Sequence, residues 1–267
     1  MKIKKLNELN ILITRPHPAG AKLCELIESR EGHAVHLPAI AFAPPKNIKK
    51  LKMIVSQLNK QNYLIFISPQ AVHASLPWIQ GTWPQFSSHV KLAGIGKGTI
   101  HALKQAGYRA TIFPKRKWDS EGLLALPVFQ SVNKQKITII RGEKGSLLLE
   151  KTLKERGAKI LQMIVYRRVL PEIEMKPYQA LLKEKILDVI VITSGEGLIN
   201  LTRMLGKSFH HLLFNIPLIV VSDRIKILAE SLGFQTIWIA RNASHEVILE
   251  CLAKKRKILC QMKMNQP

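Results

Sequence analysis

The chain has 267 residues, 46% of them hydrophobic, so it is long enough for two domains and apolar enough for substantial cores. Lys and Arg number 41 against 18 Asp and Glu, and the resulting charge of +23 attracts polyanions, either nucleic acid or a carboxylate-rich small molecule. Cys24, Cys251 and Cys260 fit neither a disulfide framework nor a zinc site. Since no secretory signal or membrane span is recognisable, we expect a soluble protein of the reducing cytoplasm.

Short apolar segments alternate with amphipathic stretches along the chain, as in a parallel α/β fold. The clearest predicted strands are residues 11–13, 64–67, 91–94, 137–140, 189–192 and 218–221. They are β-branched and apolar on both faces, which is typical of strands covered by helices on both sides. The helical stretches end at Gly32, Gly107, Gly157 and Gly233, each shortly before another apolar strand. This alternation of strands and helices predicts parallel strands joined by right-handed crossovers.

The two halves of the chain resemble each other. Residues 11–35 align with residues 137–160, and the same offset continues downstream. The aligned pairs, 126 positions apart, are Arg15 with Arg141, Ser68 with Ser194, and Gly107 with Gly233. The sequence therefore predicts a tandem duplication and two similar parallel-sheet α/β domains.

Two extended segments that end in prolines, 34–45 and 161–177, interrupt the α/β pattern and are interpreted as linkers paired as strands. The expected bounds are a first α/β domain at 1–37 plus 173–253, linker strands at 38–44 and 161–172, a second α/β domain at 45–160, and a basic C-terminal tail at 254–267. The lysines and arginine of the tail are interpreted as a solvated charge run. A cleft between the domains is the expected ligand site.

Six ordered segments carry a resemblance to a known family. They are ILITRP (11–16), FISPQAVHA (66–74), GIGKGTIHALKQAG (94–107), IIRGEKG (139–145), RGAKILQMIVYRR (156–168) and VITSGEGLINL (191–201). In order and spacing, from about residue 11 to 253, the chain resembles the uroporphyrinogen-III synthases. The resemblance implies two flavodoxin-like α/β domains joined by a two-stranded ladder, which the internal repeat suggests independently.

The resemblance also implies a reaction. The family closes the linear tetrapyrrole hydroxymethylbilane to uroporphyrinogen III without a cofactor or metal, as a cyclising hydro-lyase that inverts the last pyrrole through a spirocyclic intermediate. Each pyrrole carries an acetate and a propionate, so the charge of +23 favours capture of this polyanion. The implied enzyme is a cytoplasmic monomer that contacts neither membrane nor nucleic acid, and a transient contact with hydroxymethylbilane synthase is left open.

Candidate substrate-binding residues lie at the turns after the predicted strands, where open α/β sheets bind ligands. They are Arg15, Ser68, Gly96, Thr99, Ser120, Arg141, Gly142, Ser194 and Ser222. Small residues there let backbone N–H groups and helix N-termini reach carboxylates, with each charged hydrogen bond worth about 1.5–3 kcal/mol. The hydroxyl residues are equally explained as helix N-caps. The two arginines are either carboxylate clamps or structural salt-bridge partners.

Tyr166 is the candidate catalytic residue because it matches the linker tyrosine of the family. Its phenol either protonates or orients the departing hydroxyl of hydroxymethylbilane, or else the ring only packs the linker strands. In one place the chain departs from the family pattern: residues 220–233 lack the usual Gly-Pro-Thr-Thr turn, which leaves Ser222 as the only nearby hydroxyl.

Two other functions remain open at this point. A two-domain cytoplasmic protein that binds an anionic small molecule without transforming it would have the same composition. The isoelectric point of 10.1 also raises nucleic-acid binding, but no helix-turn-helix, RNP or zinc-finger pattern supports it. The GIGKGT segment at 94–99 satisfies neither dinucleotide nor P-loop spacing, so a nucleotide cofactor is not predicted.

Overall fold

The computed structural model describes residues 5–7 and 9–264, without the side chains of 263 and 264. The chain divides into two compact units. The first comprises the described residues up to Ala41 together with those from Val169 onward, and the second is Phe42–Arg168. The sequence-based bounds given above remain a proposal for where the folding domains begin and end.

The strands of the described residues are short, as in most parallel α/β folds. They are β1 (Asn10–Ile13), β2 (His33–His36), β3 (Ala41–Ala43), β4 (Tyr63–Phe66), β5 (Lys91–Gly94), β6 (Lys136–Gly142), β7 (Lys159–Val169), β8 (Val189–Ile192), β9 (Leu218–Val220) and β10 (Ile237–Ile239).

Helices connect these strands. They are α1 (Ala19–Glu28), α2 (Ile48–Val55), α3 (Pro69–Ile79), α4 (Lys97–Gln105), α5 (Ser120–Leu124), α6 (Pro127–Gln130), α7 (Leu148–Glu155), α8 (Lys176–Lys183), α9 (Gly195–Leu205), α10 (His210–Leu213), α11 (Asp223–Leu232) and α12 (His245–Met264). None of the described helices combines the length and the apolar character that crossing a membrane requires.

The first unit contains a five-stranded sheet in the order β10-β9-β8-β1-β2, and its strands pair in parallel. Side chains alternate between its two faces, as the pleat of a strand requires. Leu12 of β1 packs in one hydrophobic cluster, whereas Ile11 and Ile13 pack in another. Both faces are therefore buried, which confirms the parallel α/β class predicted from the apolar runs.

The second unit contains a five-stranded sheet in the order β3-β7-β6-β4-β5, in which β4, β5, β6 and β7 pair in parallel. Leu64 and Phe66 of β4 pack against α2, α3 and α4, whereas Ile65 packs against α5, α6 and α7. The helices thus cover both faces, and the carboxyl ends of β4, β5 and β6 meet at one edge.

The structure adds detail to two segments of the sequence-based interpretation. The two expected linker segments contain neighbouring strands, β3 within 38–44 and β7 over most of 161–172. Most of the expected linker 161–172 belongs to β7, because residues 159–166 complete a parallel ladder with β6 and bury Met163 and Val165. The expected basic tail is helical as far as residue 264. Leu252 and Leu259 of α12 are buried in a hydrophobic cluster of the first unit, so the charged residues between them are also helical. Residues 265–267 of that tail lie outside the described residues.

The two sheets share one strand order when segments 126 positions apart are compared. In the first unit this order is β2-β1-β8-β9, and in the second it is β7-β6-β4-β5. Beyond β9 lies β10, and beyond β5 a single parallel bridge joins Ala93 to Ile112. This common topology supports the tandem duplication, which we keep as a proposal.

Candidate active site

The carboxyl edge of the second sheet contains a cavity of about 250 Å³. It is lined by Ile67, Ile95, Trp118, Asp119, Ser120, Ile139, Arg141, Ser146, Leu149 and Glu150. Ile67 and Ile95 directly follow β4 and β5, so the cavity occupies the place where open parallel sheets bind ligands. It brings together two of the predicted binding residues, Ser120 and Arg141.

Arg141 is a buried cation, with only 3% of its surface exposed. Its Nε donates to the carbonyl of Gly142 at 3.1 Å and its Nη1 donates to the carbonyl of Ser146 at 3.1 Å. No carboxylate of the described residues forms an ion pair with it, and its Nη2 donates to no described acceptor. Because a buried charge is costly without a counter-charge, the cavity is suited to an anionic ligand.

The two acidic residues that line the cavity already have partners. The Glu150 carboxylate forms an ion pair with Lys154 at 2.6 Å and accepts a hydrogen bond from Gln162. The Asp119 carboxylate accepts from the backbone N–H of Gly122 at 2.8 Å and so caps α5. Asp119 also lies 3.7 Å from the Lys117 ammonium, and neither carboxylate forms an ion pair with Arg141.

Tyr166 lies on β7 with its ring packed on Gly142. A Cβ atom added at Gly142 would come within 2.6 Å of the Tyr166 Cε2 and Cζ atoms, so only glycine fits beneath the ring. The ring also meets Phe42 edge-on, with 5.2 Å between centroids. Tyr166 is buried, yet none of the described residues hydrogen-bonds its Oη. These contacts hold the ring and leave the hydroxyl uncommitted.

The predicted serines all lie at helix N-termini, but they are not equivalent. Ser68 Oγ accepts from the N–H of Ala71 at 3.0 Å, and Ser194 Oγ accepts from the N–H of Gly197 at 3.0 Å. Both therefore cap their helices, α3 and α9. Ser222 is the N-cap residue of α11 but makes no side-chain capping bond, so its hydroxyl is available to a ligand.

The remaining candidates of the second unit lie at the starts of α4 and α5. Gly96 is the N-cap residue of α4, and Thr99, which is 1% exposed, donates its N–H to the Gly96 carbonyl at 2.9 Å. Ser120 is the first residue of α5, where Asp119 rather than Ser120 provides the cap. Thr99 is thus built into the helix, whereas Ser120 faces the cavity.

Arg15 lies at the carboxyl end of β1 in the first unit and is half-buried. Its Nη1 donates to the carbonyl of Ala243 at 2.9 Å, and its own carbonyl accepts from His36 Nε2 at 2.8 Å. Burial lowers the pKa of Arg15. Burial also lowers the pKa of His245, and the charge of Arg15 acts in the same direction. Arg15 therefore lies in a basic environment.

Sequence reasoning did not single out the histidines around Arg15 or the tryptophan of the cavity. His17, two residues after Arg15, meets His36 with 4.5 Å between ring centroids. The usable signal was the position of His36 at the end of β2, which is paired with β1. Trp118 gave no comparable signal, because it is a single aromatic residue in a polar stretch.

The second unit has a larger groove of about 620 Å³ beside α2 and β7. It shares Glu150 with the smaller cavity and contains two lysines, Lys46 and Lys50. It lies along α2 and β7 and reaches the carboxyl end of β6 at Glu143, but none of the described residues directly after β4 or β5 lines its wall, so we place the candidate site at the smaller cavity. Within residues 5–7 and 9–264, no group of three or more His, Cys, Asp or Glu side chains is arranged to hold a metal ion.

Solved structures share this fold across almost the whole chain. A mutant uroporphyrinogen III synthase from the extremely thermophilic bacterium Thermus thermophilus aligns with a TM-score of 0.57 at 15% identity, covering 95% of this chain and 99% of that one. A uroporphyrinogen-III synthetase from Helicobacter pylori 26695 also gives 0.57, at 14% identity, covering 92% and 99%. At these identities the likeness establishes the two-domain α/β fold and nothing further.

Sequence comparison is more specific. The family model described as "Uroporphyrinogen-III synthase HemD" matches residues 21–250. The uroporphyrinogen-III synthase of Escherichia coli (strain K12) is 30% identical over 248 residues, which cover 91% of this chain and 100% of that protein. The enzyme of Proteus mirabilis is 32% identical over 164 residues, covering 60% and 81%. The chain belongs to the uroporphyrinogen-III synthase family.

Proposed function

We propose that the chain catalyses the reaction implied by its family, the conversion of hydroxymethylbilane to uroporphyrinogen III. This is a lyase reaction, in which the bilane loses its hydroxyl as water and the ring closes with the last pyrrole inverted. The enzyme acts in the cytoplasm as a monomer without a cofactor, and a transient contact with hydroxymethylbilane synthase supplies the bilane. The observation that carries the proposal is the 30% identity to the Escherichia coli synthase along that protein's whole length.

Substrate capture is the first requirement, because the bilane carries an acetate and a propionate on every pyrrole. The net charge of +23 raises the local concentration of such a polyanion near the surface. Specific binding needs directed donors. We assign these to Arg141, whose Nη2 is free, and to backbone N–H groups at the starts of α3 and α4, next to Ser68 and Gly96.

The first unit contributes its own candidate donors. Arg15 uses one guanidinium nitrogen for the Ala243 carbonyl and retains the others. The hydroxyl of Ser222 makes no capping bond, whereas the hydroxyl of Ser194 accepts one and keeps its proton to donate. In the proposal these three residues provide further carboxylate-binding groups.

Tyr166 is the proposed general acid. Its uncommitted Oη donates a proton to the departing hydroxyl, water leaves with the C–O bonding electrons, and the bilane becomes an electrophilic azafulvenium cation beside the Tyr166 phenolate. The last pyrrole attacks through its substituted carbon to form the spirocyclic intermediate, which then fragments and recloses through the unsubstituted α-carbon with that pyrrole inverted. The proton lost from that α-carbon on reclosure restores the phenol of Tyr166. A positioned general acid contributes roughly 10²- to 10⁴-fold to a rate.

Conformational control is the larger part of the task, because the bilane closes unaided to the non-inverted isomer. Each 1.4 kcal/mol of preference for the productive pose is worth about tenfold in rate. Donors held by buried strands and capped helices are suited to this role, because they do not reorganise when the substrate folds around them. Ser68 then acts chiefly by fixing α3, and Ser194 fixes α9 in addition to donating its hydroxyl proton to a carboxylate.

The test is an isomer assay. Freshly generated hydroxymethylbilane is mixed with the purified chain, the products are oxidised, and uroporphyrins I and III are separated by chromatography. We expect isomer III to predominate, whereas the enzyme-free control and the heat-denatured protein give isomer I. An isomer ratio equal to the control would refute the proposal.

The same assay decides against a binding protein that does not transform its ligand. Such a protein would retain hydroxymethylbilane and slow the appearance of both isomers without changing their ratio. A titration of the purified chain with the bilane, read together with the isomer ratio, separates sequestration from catalysis.

A further inference from the structure

We propose that the 250 Å³ cavity of the second unit and its Trp118 wall form a subsite for a single pyrrole ring of the substrate. Arg141 binds one carboxylate of that ring, Trp118 packs against the ring itself, and Lys97 binds the second carboxylate. The inference rests on the proposed function for the identity of the ligand, and it adds Trp118 and Lys97 as residues that determine specificity.

The inner end of this subsite is the buried guanidinium of Arg141. Two of its nitrogens hold backbone carbonyls, which fix its plane, and Nη2 has no described acceptor. A planar guanidinium whose orientation is fixed in this way selects a carboxylate over a less directional anion. Its depth requires an anion on an arm that can enter the cavity, as an acetate or propionate chain can.

The wall of the subsite is Trp118, which is half-buried and held in place by its neighbours. Its ring stacks on Phe113 with 6.0 Å between centroids and 8° between planes. Lys97 Nζ lies 5.6 Å from the centroid of the same ring. An aromatic side chain with this support is rigid, and the part of Trp118 that lines the cavity offers an apolar surface against which a flat heteroaromatic ring can pack at little entropic cost.

Lys97 supplies the second charge. Its ammonium group lies beside Trp118, which lines the cavity, and no described carboxylate forms an ion pair with it. A pyrrole of the bilane carries two carboxylates on neighbouring carbons, one on a shorter and one on a longer arm. Arg141 inside the cavity and Lys97 beside its wall therefore match the number and sign of charges on one such ring.

The size of the cavity argues for one ring rather than the whole tetrapyrrole. Pockets that enclose a complete drug-sized ligand measure about 300–1,000 Å³, and this cavity measures about 250 Å³. It can enclose one pyrrole with its arms, while the other three rings remain outside.

The first unit does not repeat this arrangement. Gly96 and Lys97 correspond there to Ser222 and Asp223, so the charge at the start of the helix is reversed. Its own tryptophan and lysine pair, Trp238 with Lys255 at 5.2 Å, involves β10 and α12 rather than the helix after β9. This pair provides a matched control of the same chemistry.

The experiment titrates the full-length protein with a synthetic monopyrrole that carries one acetate and one propionate arm, followed by NMR. Lys97→Gln and Trp118→Leu are compared with Lys255→Gln and Trp238→Leu, and the neutral dimethyl ester of the monopyrrole is the ligand control. We expect Lys97→Gln and Trp118→Leu each to weaken binding about tenfold, with KM for hydroxymethylbilane rising in parallel and kcat nearly unchanged. The control variants and the wild type should bind equally, and the ester should not bind.

Several outcomes overturn the subsite. It is wrong if the wild type does not bind the monopyrrole, if the ester binds as well as the diacid, or if the Lys97 and Trp118 variants bind like the wild type. When the wild type still forms isomer III in such a case, the proposed function stands without the subsite. If the monopyrrole binds in the expected pattern but no isomer III forms, the subsite is supported and the proposed reaction fails.

Discussion

At the carboxyl edge of the second sheet, Arg141 is buried and donates to two backbone carbonyls. At the corresponding edge of the first sheet, Arg15 occupies the position 126 residues earlier, half-buried beside His36 and His245. Arg141 lines a cavity whose two acidic residues, Asp119 and Glu150, are engaged by other groups. Arg15 lies beside two histidines, His36 and His245. The same residue type at the same repeat position thus has two different electrostatic environments.

Other pairs extend the comparison. Ser68 and Ser194 make the same capping bond at the same length, 3.0 Å, so this helix cap is the same in both units. The positions of Gly142 and Tyr166 fall on Pro16 and Ile40, which have no phenol and no glycine to accommodate one. The serine caps of the helices are thus repeated in both units, whereas the tyrosine and the glycine beneath its ring occur only in the second. We therefore expect substitutions in the second unit to change activity more than the equivalent substitutions in the first.

The largest expected effect tests Tyr166, whose counterpart in the first unit is Ile40. Tyr166→Phe keeps the ring on Gly142 and against Phe42, so the folded state should survive, while kcat should fall about 100-fold or more because the general acid is lost. The initial rate of isomer III formation measures it at equal folded fraction.

Tyr178→Phe is the matched control in the first unit. Its hydroxyl donates to the carbonyl of His36 at 3.1 Å, so the variant should lose about 1 kcal/mol of unfolding free energy and keep its kcat. Full activity in Tyr166→Phe would reduce Tyr166 to a packing residue and remove the main chemical difference between the units.

A smaller effect on KM is expected to distinguish Arg141 from Arg15. Lysine in place of Arg141 cannot hold the Gly142 and Ser146 carbonyls and a ligand carboxylate together, so KM for hydroxymethylbilane should rise about tenfold. Arg15→Lys should raise KM by less than about threefold, because a half-exposed charge is screened by water. Steady-state kinetics of both variants measures the ratio, and equal increases in KM would mean that burial does not distinguish the two edges.

The capping serines are expected to respond alike in stability. Ser68→Ala and Ser194→Ala should each lose about 1 kcal/mol of unfolding free energy, measured by urea titration. Aspartate at either position keeps the cap but adds a negative charge at the helix start. If the carboxyl edge of the second sheet binds the substrate carboxylates, Ser68→Asp should raise KM more than Ser194→Asp. A larger increase in KM for Ser194→Asp would assign carboxylate binding to the edge of the first sheet.

Much of the fold followed from the sequence because it depends on local pattern. Strands such as β4 and β8 are apolar on both faces, and the glycines before the following strands mark the helix ends. The helical form of the segment around the charged run at 254–257 was not predicted, because the polarity of the run hid the spacing of the buried residues Leu252 and Leu259 in α12. Burial of that helix depends on distant residues that no local pattern shows.

The candidate site was predictable only in part. The carboxyl ends of parallel strands drew attention to Arg141 and Ser120, which the structure places on one cavity. Arg141 has no acidic partner among the described residues because the Glu150 carboxylate is engaged by Lys154 and Gln162. The spacing of these residues in the sequence does not reveal this tertiary arrangement. The basic environment of Arg15 likewise arises because His245, far away in sequence, lies beside α1.

The smallest expected effect concerns pH and the first unit alone. Burial and the charge of Arg15 lower the pKa of His245 in the folded state below its ordinary value of about 6.5. As pH falls through about 6.5, the unfolded chain binds a proton at this position that the folded chain does not, so folding stability declines. The loss levels off once pH is below the folded pKa, where both states are protonated.

His245→Asn removes this titration and should therefore lose less unfolding free energy than the wild type between about pH 7.5 and about pH 5.5. His211→Asn, which replaces an exposed imidazole of the same unit, is the control for losing any histidine. Urea titrations at the two pH values measure the difference. If His245→Asn and His211→Asn follow the wild type equally, the basic environment of Arg15 has no energetic consequence, and the contrast between the two edges depends on the cavity of Arg141 alone.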